Sequence, residues 1–356
     1  MISPLVLPGI LLGRSCISLN LPSQEGSVCI PRLSASTQNF NRYSYCLNNP
    51  LKYTDESGEI VISATAAMLI SAAVFGFGNL GAHAIRGDNL GHWNWAKYFF
   101  SGAIAGAVVG TAWYFATPLI RAPFEAMTGS QSWIWRLLGK QTLFNLKHAY
   151  SLMTGINFVG NLYNGISNDN DQWFNNFAKS VIGQYYLDES RTFMGQVWEG
   201  ISRHTLESFQ QFFGYSWTCM RSPWNDRIDF FGGATFGTNF NGNIGPGVTL
   251  GSYINIDSNE SNAIIDAAGS FDDYLLSRKR MAQDYYVHEF GHTIQSKKWG
   301  VFYVAPAIMS AIYTSRHDRS VADHYWTETQ SNKLSFYYLK KHQPYYAFNI
   351  YYNPLF

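Results

Sequence analysis

Two long stretches without a charged side chain constrain this fold more than any other feature of the sequence. Residues 60–85 and 98–120 contain no aspartate, glutamate, lysine or arginine, and Arg86, Asp88 and Lys97 lie in the connection between them. Each stretch is long enough to cross about 30 Å of hydrocarbon as a helix. We therefore expect two long apolar helices joined by a short polar connection.

Small residues indicate how these two helices pack. Gly102, Gly106 and Gly110 follow one another at four-residue spacing, so they share one helical face and let a second helix approach closely. Aromatic residues lie near the ends of both stretches, where amphipathic rings favour a membrane interface. Two interpretations of the hairpin at residues 60–121 stay open: a segment that contacts or enters a membrane during delivery, and a hairpin buried by a shell or by the rest of the chain.

Composition limits the class of protein. The 356 residues are 46% hydrophobic, which is enough for a large core and more than one domain. Lysine and arginine total 25 against 24 acidic residues, and no basic stripe is present, so we expect no nucleic-acid partner. Charged residues are only 14%, against about 25% in ordinary soluble domains, which suggests that part of the surface faces lipid or protein.

A short junction precedes the first apolar stretch. Residues 37–59 read TQNFNRYSYCLNNPLKYTDESGE. This run closely resembles the end of the RHS repeat-associated core of RHS/YD-repeat polymorphic toxins, although Glu56 stands where the family usually has proline and the YD repeats are not in this chain. The resemblance implies that the residues after Glu59 are an effector, secreted or delivered into a target cell, with an immunity protein as partner. Residues 1–36 carry no assignment.

The middle and the end of the chain differ in periodicity. Residues 122–215 have apolar positions at three- and four-residue spacing and predict a helical linker region, in which His204 and Glu207 are interpreted as exposed. Residues 230–240 and 248–256 alternate and predict a hairpin or two strands of a small sheet. Residues 271–296 return to helical periodicity.

The last of these helices carries the motif with the clearest chemistry. His288 and His292 are four residues apart, so both imidazoles project from one helical face and can bind one zinc ion. Glu289 lies beside the metal, where it can reach a bound water and act as the catalytic acid and base. The motif predicts a zinc hydrolase, most simply a peptidase.

A catalytic zinc needs a third protein ligand. The HExxHxxGxxH pattern of metzincins is absent, because Gln295 and Lys298 occupy its glycine and third-histidine positions. The ligand must then come from further along the chain. The candidates are His317, Asp318, Asp323, His324 and Glu328.

One of these candidates fits a known arrangement. Glu328 lies 36 positions beyond His292 in a segment that predicts a second helix, and Asn332 follows four residues later. This arrangement resembles the gluzincin peptidases, which take their third ligand from a glutamate on a later helix. The resemblance implies zinc held by His288, His292 and Glu328, with Asn332 as an outer hydrogen-bond partner. His317 and His324 remain alternative ligands or donors to the transition state.

These observations combine into one prediction and one alternative. The predicted fold class is α+β, mainly helical, with a hydrophobic helical hairpin followed by a zincin-like domain at residues 216–356. This domain would hold a small β-sheet and the HExxH helix. The predicted function is a zinc endopeptidase, acting on a peptide or protein substrate as the toxin tip of an RHS-type protein. The alternative is a membrane-active or structural fragment whose zinc site is not catalytic.

Overall fold

The computed structural model describes residues 64–128, 140–240, 247–258, 262–276, 281–317 and 325–342. The RHS-like junction at 37–59 and residues 1–36 lie outside the described residues. The chain divides into a unit that ends at Ala66 and a compact unit from Ala67 to Phe356, to which almost all described residues belong.

Helices make up most of the described chain. The first six are α1 (Ala64–Arg86), α2 (Asn94–Thr128), α3 (Lys140–Asn168), α4 (Trp173–Ile182), α5 (Phe193–His204) and α6 (Ser208–Arg221). After the strands follow α7 (Asn262–Ala267), α8 (Phe271–Leu276), α9 (Met281–Trp299), α10 (Val304–Thr314) and α11 (Trp326–His342). Short 3₁₀ turns at Ser222–Trp224 and Gly300–Tyr303 connect neighbouring elements.

The small sheet has mixed topology. Its strands are β1 (Arg227–Phe231), β2 (Ala234–Asn239), β3 (Val248–Leu250) and β4 (Tyr253–Asp257), in the order β1-β2-β4-β3. Strands β1 and β2 form one antiparallel hairpin and β3 and β4 form another, while β2 and β4 run parallel. The prediction of a mainly helical fold with a small sheet after an apolar hairpin is confirmed. Each of the two alternating segments supplies one hairpin.

The main core lies between this sheet and α9. Aromatic and branched side chains from both elements pack together, among them Phe236, Ile254, Tyr286 and Phe290. These residues alternate along the strands and recur at helical spacing in α9, so one face of each element is removed from water. This packing holds α9 across the sheet. The face of α9 that points away from the sheet is left to contact α11.

The apolar helices pack against each other as the glycine spacing predicts. A Cβ atom on Gly102 or Gly106 would collide with the backbone of α1, at Phe75 and Ser71 respectively. Only glycine permits so close an approach. Helix α2 also packs on α5, where Ala105 lies against Gly200. The predicted tightly packed hairpin is therefore present.

The hairpin is tied into the compact unit and still exposes much of its surface. Arg86 forms ion pairs with Asp272 at α8 and with Glu189 at 2.8 Å. By length and composition, α1 and residues 94–116 could each cross a membrane, and only 22% and 28% of their most apolar segments are buried. The outer faces of both helices are consequently apolar and exposed. The domain boundaries at 121/122 and 215/216 stay predictions.

Candidate metal centre

Helix α9 holds the predicted motif, as the periodicity indicates. Val287 and Phe290 are buried in the core on the sheet side, while His288 and His292 lie on the side that faces α11. The helix ends at Trp299 with Gly300 in the left-handed region (φ +55°), a common way to terminate a helix. The motif thus stands on a helix that packing holds firmly.

A close helix crossing brings α11 to the motif. A Cβ atom on Gly291 would collide with the backbone carbonyl of Ser331, so only glycine allows the two helices to approach at this point. The Ser331 hydroxyl donates a hydrogen bond to the carbonyl oxygen of His288 at 2.6 Å. Gly291, the fourth residue of the motif, therefore has a structural role, because it admits the helix that carries Glu328.

Three donor atoms converge at this crossing. Glu328 Oε2 lies 3.0 Å from His288 Nε2 and 3.2 Å from His292 Nε2, and the two Nε2 atoms are 3.3 Å apart. Four ligands about 2.0–2.1 Å from a tetrahedral zinc ion would lie about 3.3 Å from one another. The three atoms have the spacing of three corners of such a site, and among the described residues this is the one group with that property.

The outer nitrogen atoms of both histidines are occupied. His288 Nδ1 donates to Asn332 Oδ1 at 2.7 Å, and His292 Nδ1 donates to Gln295 Oε1 at 2.7 Å. The Gln295 amide orientation is fixed because its Nε2 donates to the carbonyl oxygen of Thr327. An amide oxygen can only accept, so Nδ1 of each imidazole carries a proton and Nε2 is the nitrogen that faces Glu328.

The electrostatics of the site favour a positive charge among these three atoms. Burial opposes charge on His288, but the hydrogen bond to Glu328, the negative charges of Glu289 and Glu328 and the hydrogen bond to Asn332 together raise the pKa of His288 to about 9. Burial likewise opposes ionisation of Glu328, and its hydrogen bonds to His288 and His292 hold the pKa of that carboxyl well below its usual range. Two nitrogen lone pairs and a carboxylate repel one another unless a cation lies among them. A zinc ion fits this donor set in place of the proton.

Glu328 is held in position by hydroxyl groups. Its Oε1 accepts hydrogen bonds from Ser310 of α10 and, at 3.2 Å, from the neighbouring Thr327. Its Oε2 is thereby directed toward the histidines. The predicted third ligand is therefore oriented by two elements, α10 and α11.

Glu289 contacts the edge of the sheet. It is buried, with 6% of its surface exposed, and its Oε2 accepts a hydrogen bond from Thr249 Oγ1 of β3 at 2.5 Å. A Cβ atom on Gly247 would lie 2.5 Å from Glu289 Oε1, so the start of β3 passes directly over the carboxylate. The carboxylate of Glu289 is therefore shielded from bulk water and adjoins an edge strand.

The remaining predicted residues lie elsewhere. His317 is exposed at the end of α10, with its Nδ1 2.8 Å from the carbonyl oxygen of Tyr313, and it is not part of the three-residue group. Asp318, Asp323 and His324 lie outside the described residues. Among the candidates, the structure brings Glu328 to the histidine pair.

The interpretation of Glu207 and His204 as exposed is wrong. Glu207 is buried and accepts hydrogen bonds from Ser202 and from Ser296 of α9, and burial raises its pKa. His204 packs on Tyr185, and burial lowers its pKa to about 3. Both residues hold α5 and α6 against neighbouring helices, which the local sequence does not show.

Several supporting residues are not apparent from sequence periodicity. They are Thr249, Gln295, Tyr303 and Ser310. Gln295 offers a weak signal, since it follows His292 by three positions and so shares its helical face. The others come from separate segments, and only the tertiary fold brings them to the site.

We expect Asn332→Ala to lower zinc affinity by about 10–100-fold, because His288 would lose the acceptor that fixes its ring and its protonated nitrogen. Competition with a chelating dye measures this change. Lys333→Ala, one position further along α11, is the matched control and should bind zinc as the wild type does. Equal affinity in all three proteins would show that Asn332 does not orient the histidine.

Comparison with protein-family models, curated proteins and solved structures found no match for this chain. The argument for function consequently rests on the chemistry of the site itself.

Proposed function

We propose that this protein is a zinc-dependent endopeptidase. The observation that carries the proposal is the convergence of His288 Nε2, His292 Nε2 and Glu328 Oε2, with the buried carboxylate of Glu289 on the adjoining turn. Three protein ligands and one free position are typical of catalytic rather than structural zinc sites. The resemblance of this ligand set to that of gluzincins supports the same reaction class.

The roles of the residues follow from their positions. A bound zinc ion would supply Lewis acidity, polarising a scissile carbonyl and acidifying a water molecule. Glu289 would accept the proton released during attack and pass it to the leaving amine. Thr249 would hold the Glu289 carboxylate in place through its hydrogen bond. Asn332 and Gln295 would keep both histidines in the tautomer that ligation requires.

The sheet offers a surface for an extended substrate. In the observed order β2 is interior, while β3 is an edge strand that pairs with β4 alone among the described residues. Strand β3 also contacts Glu289 through the hydroxyl of Thr249. A peptide added to β3 by backbone hydrogen bonds would run past the carboxylate. This arrangement supports a polypeptide substrate.

The biological setting is proposed from the junction at residues 37–59. Its resemblance to the RHS core supports an effector that is secreted or delivered into a target cell, where an immunity protein would be its specific partner. The low charge content and near-zero net charge agree with a peptide or protein target and not with nucleic acid.

A second candidate function rests on the hairpin. Helices α1 and α2 have membrane-spanning length and largely exposed apolar faces, which favour a membrane-active fragment whose zinc site is not catalytic. In this case vesicle disruption would persist after metal removal. If the protein is a zinc peptidase, its cleavage of peptides should instead stop when the metal is removed.

Metal removal separates the two functions. We expect the zinc-loaded full chain to cleave members of a proteome-derived peptide library, to lose this activity on treatment with a strong chelator, and to regain it when zinc is restored. Mass spectrometry of the library reports cleavage sites directly. Cleavage that continues unchanged in the metal-free protein, or no cleavage of any peptide by the zinc-loaded chain, would contradict the proposal.

A further inference from the structure

An uncharged, exposed apolar surface adjoins the metal centre. Residues 299–315, which include the second 3₁₀ turn and α10, contain no aspartate, glutamate, lysine or arginine. Four large side chains there are at least half exposed: Val301 52%, Phe302 77%, Ile308 55% and Met309 60%. We call these four residues the apolar rim. Apolar side chains grouped in this way mark a binding surface.

The rim is built on the elements that hold the proposed zinc ligands. The Tyr303 hydroxyl lies 2.9 Å from His292 Nδ1, and the Ser310 hydroxyl donates to Glu328. Tyr303 directly follows Phe302, and Ser310 directly follows Met309. Whatever binds the rim is therefore held within a few residues of the catalytic centre.

The same apolar surface continues toward the hairpin. Gly300 lies against Leu206, where a Cβ atom would be 3.2 Å from the leucine Cβ, and Leu206 and Phe209 are 51% and 53% exposed. The Trp113 indole of α2 donates a hydrogen bond to the carbonyl oxygen of His204 at 2.9 Å. Contacts thus lead without interruption from α2 through residues 204–209 to the rim.

The borders of the uncharged segment match the chemistry of a lipid surface. Lys298 precedes it and Arg316 follows it, and both are exposed. Trp299, at the same border, is 40% exposed. Basic and aromatic residues around an apolar surface suit anionic headgroups above acyl chains. The adjoining hairpin has bilayer dimensions and exposed apolar faces, so a bilayer is the partner that fits both surfaces.

We propose that the apolar rim rests on an anionic lipid bilayer, and that the substrate is a polypeptide anchored in, or lying on, the same membrane. The membrane contact follows from the exposed surface, whereas the substrate class rests on the proposed peptidase function. The catalytic centre would then work at the level of the lipid headgroups, where β3 could take up a segment that emerges from the bilayer.

Vesicle binding by the full chain tests the membrane contact. The double variant Phe302→Asp with Met309→Asp should associate at least about tenfold more weakly than the wild type with vesicles of phosphatidylcholine and phosphatidylglycerol. The matched control is Tyr337→Asp on α11, since Tyr337 is 63% exposed and lies outside the rim. The Tyr337→Asp and Glu289→Gln variants should bind the mixed vesicles as strongly as the wild type does. The wild type should bind vesicles of phosphatidylcholine alone more weakly than the mixed vesicles.

The following results would overturn the proposed membrane contact of the apolar rim. Equal binding of the rim variant and the wild type would place the lipid contact elsewhere, and equal binding to both vesicle types would remove the role of anionic headgroups. A lipid-free dimer that the rim substitutions dissociate, with unchanged vesicle binding, would make a second copy the occupant. Zinc content and circular dichroism verify that the variants are folded.

A comparison of anchored and free peptide tests the proposed substrate class. A peptide that the chain cleaves in solution is attached to a lipid anchor and presented on the mixed vesicles, beside the same peptide without the anchor. The wild type should cleave the anchored form at least about tenfold faster, and the rim variant should lose this preference while cleaving the free peptide normally. Equal rates on both forms would reject the substrate class but leave the peptidase intact. If the zinc-loaded chain cleaves no peptide in solution, the peptidase is rejected and the vesicle result still stands.

Discussion

Replacing Glu289 with glutamine is expected to abolish peptide hydrolysis while leaving the zinc content of the protein unchanged. Glutamine has nearly the same shape and can still accept the hydrogen bond from Thr249, so the packing beneath Gly247 is preserved. Glutamine cannot take up a proton at neutral pH. Because general acid-base catalysis contributes about 10²–10⁴-fold, the rate should fall by at least about a hundredfold.

The measurement combines a cleavage assay with metal analysis of the same preparation. Asp266→Asn is the matched control: it also converts a carboxylate to an amide, but Asp266 is exposed and its side chain forms a surface ion pair with Arg227, away from the proposed metal centre. This variant should retain the wild-type rate. Appreciable cleavage by Glu289→Gln would sink the assignment of Glu289, whereas loss of zinc would show that the residue belongs to the metal site itself.

Glu328→Ala is expected to produce the largest loss of zinc affinity. The substitution removes one of three donor atoms and leaves the two histidine nitrogens without the carboxylate that balances the charge of the metal. The affinity should fall by more than the about 10–100-fold that loss of an outer hydrogen-bond partner costs. Zinc content after dialysis and competition with a chelating dye measure this loss.

His317→Ala supplies the comparison for Glu328. His317 was a candidate ligand, but it is exposed and contacts the backbone of Tyr313, so its removal should leave zinc affinity close to that of the wild type. Zinc affinity should therefore be far lower in Glu328→Ala than in His317→Ala. Unchanged zinc content in Glu328→Ala, or a greater loss in His317→Ala, would contradict the proposed ligand set.

The elements of the fold were predictable where the local pattern is strong. The absence of charge and the regular glycine spacing predicted the two apolar helices and their close packing. The change from alternating to helical spacing of apolar residues predicted strands before α9. The HExxH spacing placed His288 and His292 on one face because any helix does so. These features depend on residues that are near one another in sequence.

Features that depend on distant segments were not predictable. The parallel pairing of β2 with β4 joins two hairpins, and nothing within either hairpin specifies it. Glu207 looks like a surface residue in its local sequence, yet it lies in the buried turn before α6 and accepts a hydrogen bond from Ser296 of α9. The hydroxyl of Thr249 reaches Glu289 across 40 positions. In each case a partner from another element decides the environment.

The crossing of α9 and α11 has a consequence for when the protein could acquire the proposed zinc ion. His288 and Glu328 are 40 positions apart, and their donor atoms meet only after Gly291 has admitted the backbone of Ser331. An extended chain has no preformed site, so uptake of the proposed zinc ion would be coupled to the last stages of folding. A chain that passes through a narrow channel unfolded would arrive without zinc. Its activity would then depend on the free zinc of the compartment in which it refolds, and it would remain inert along the whole route to that compartment.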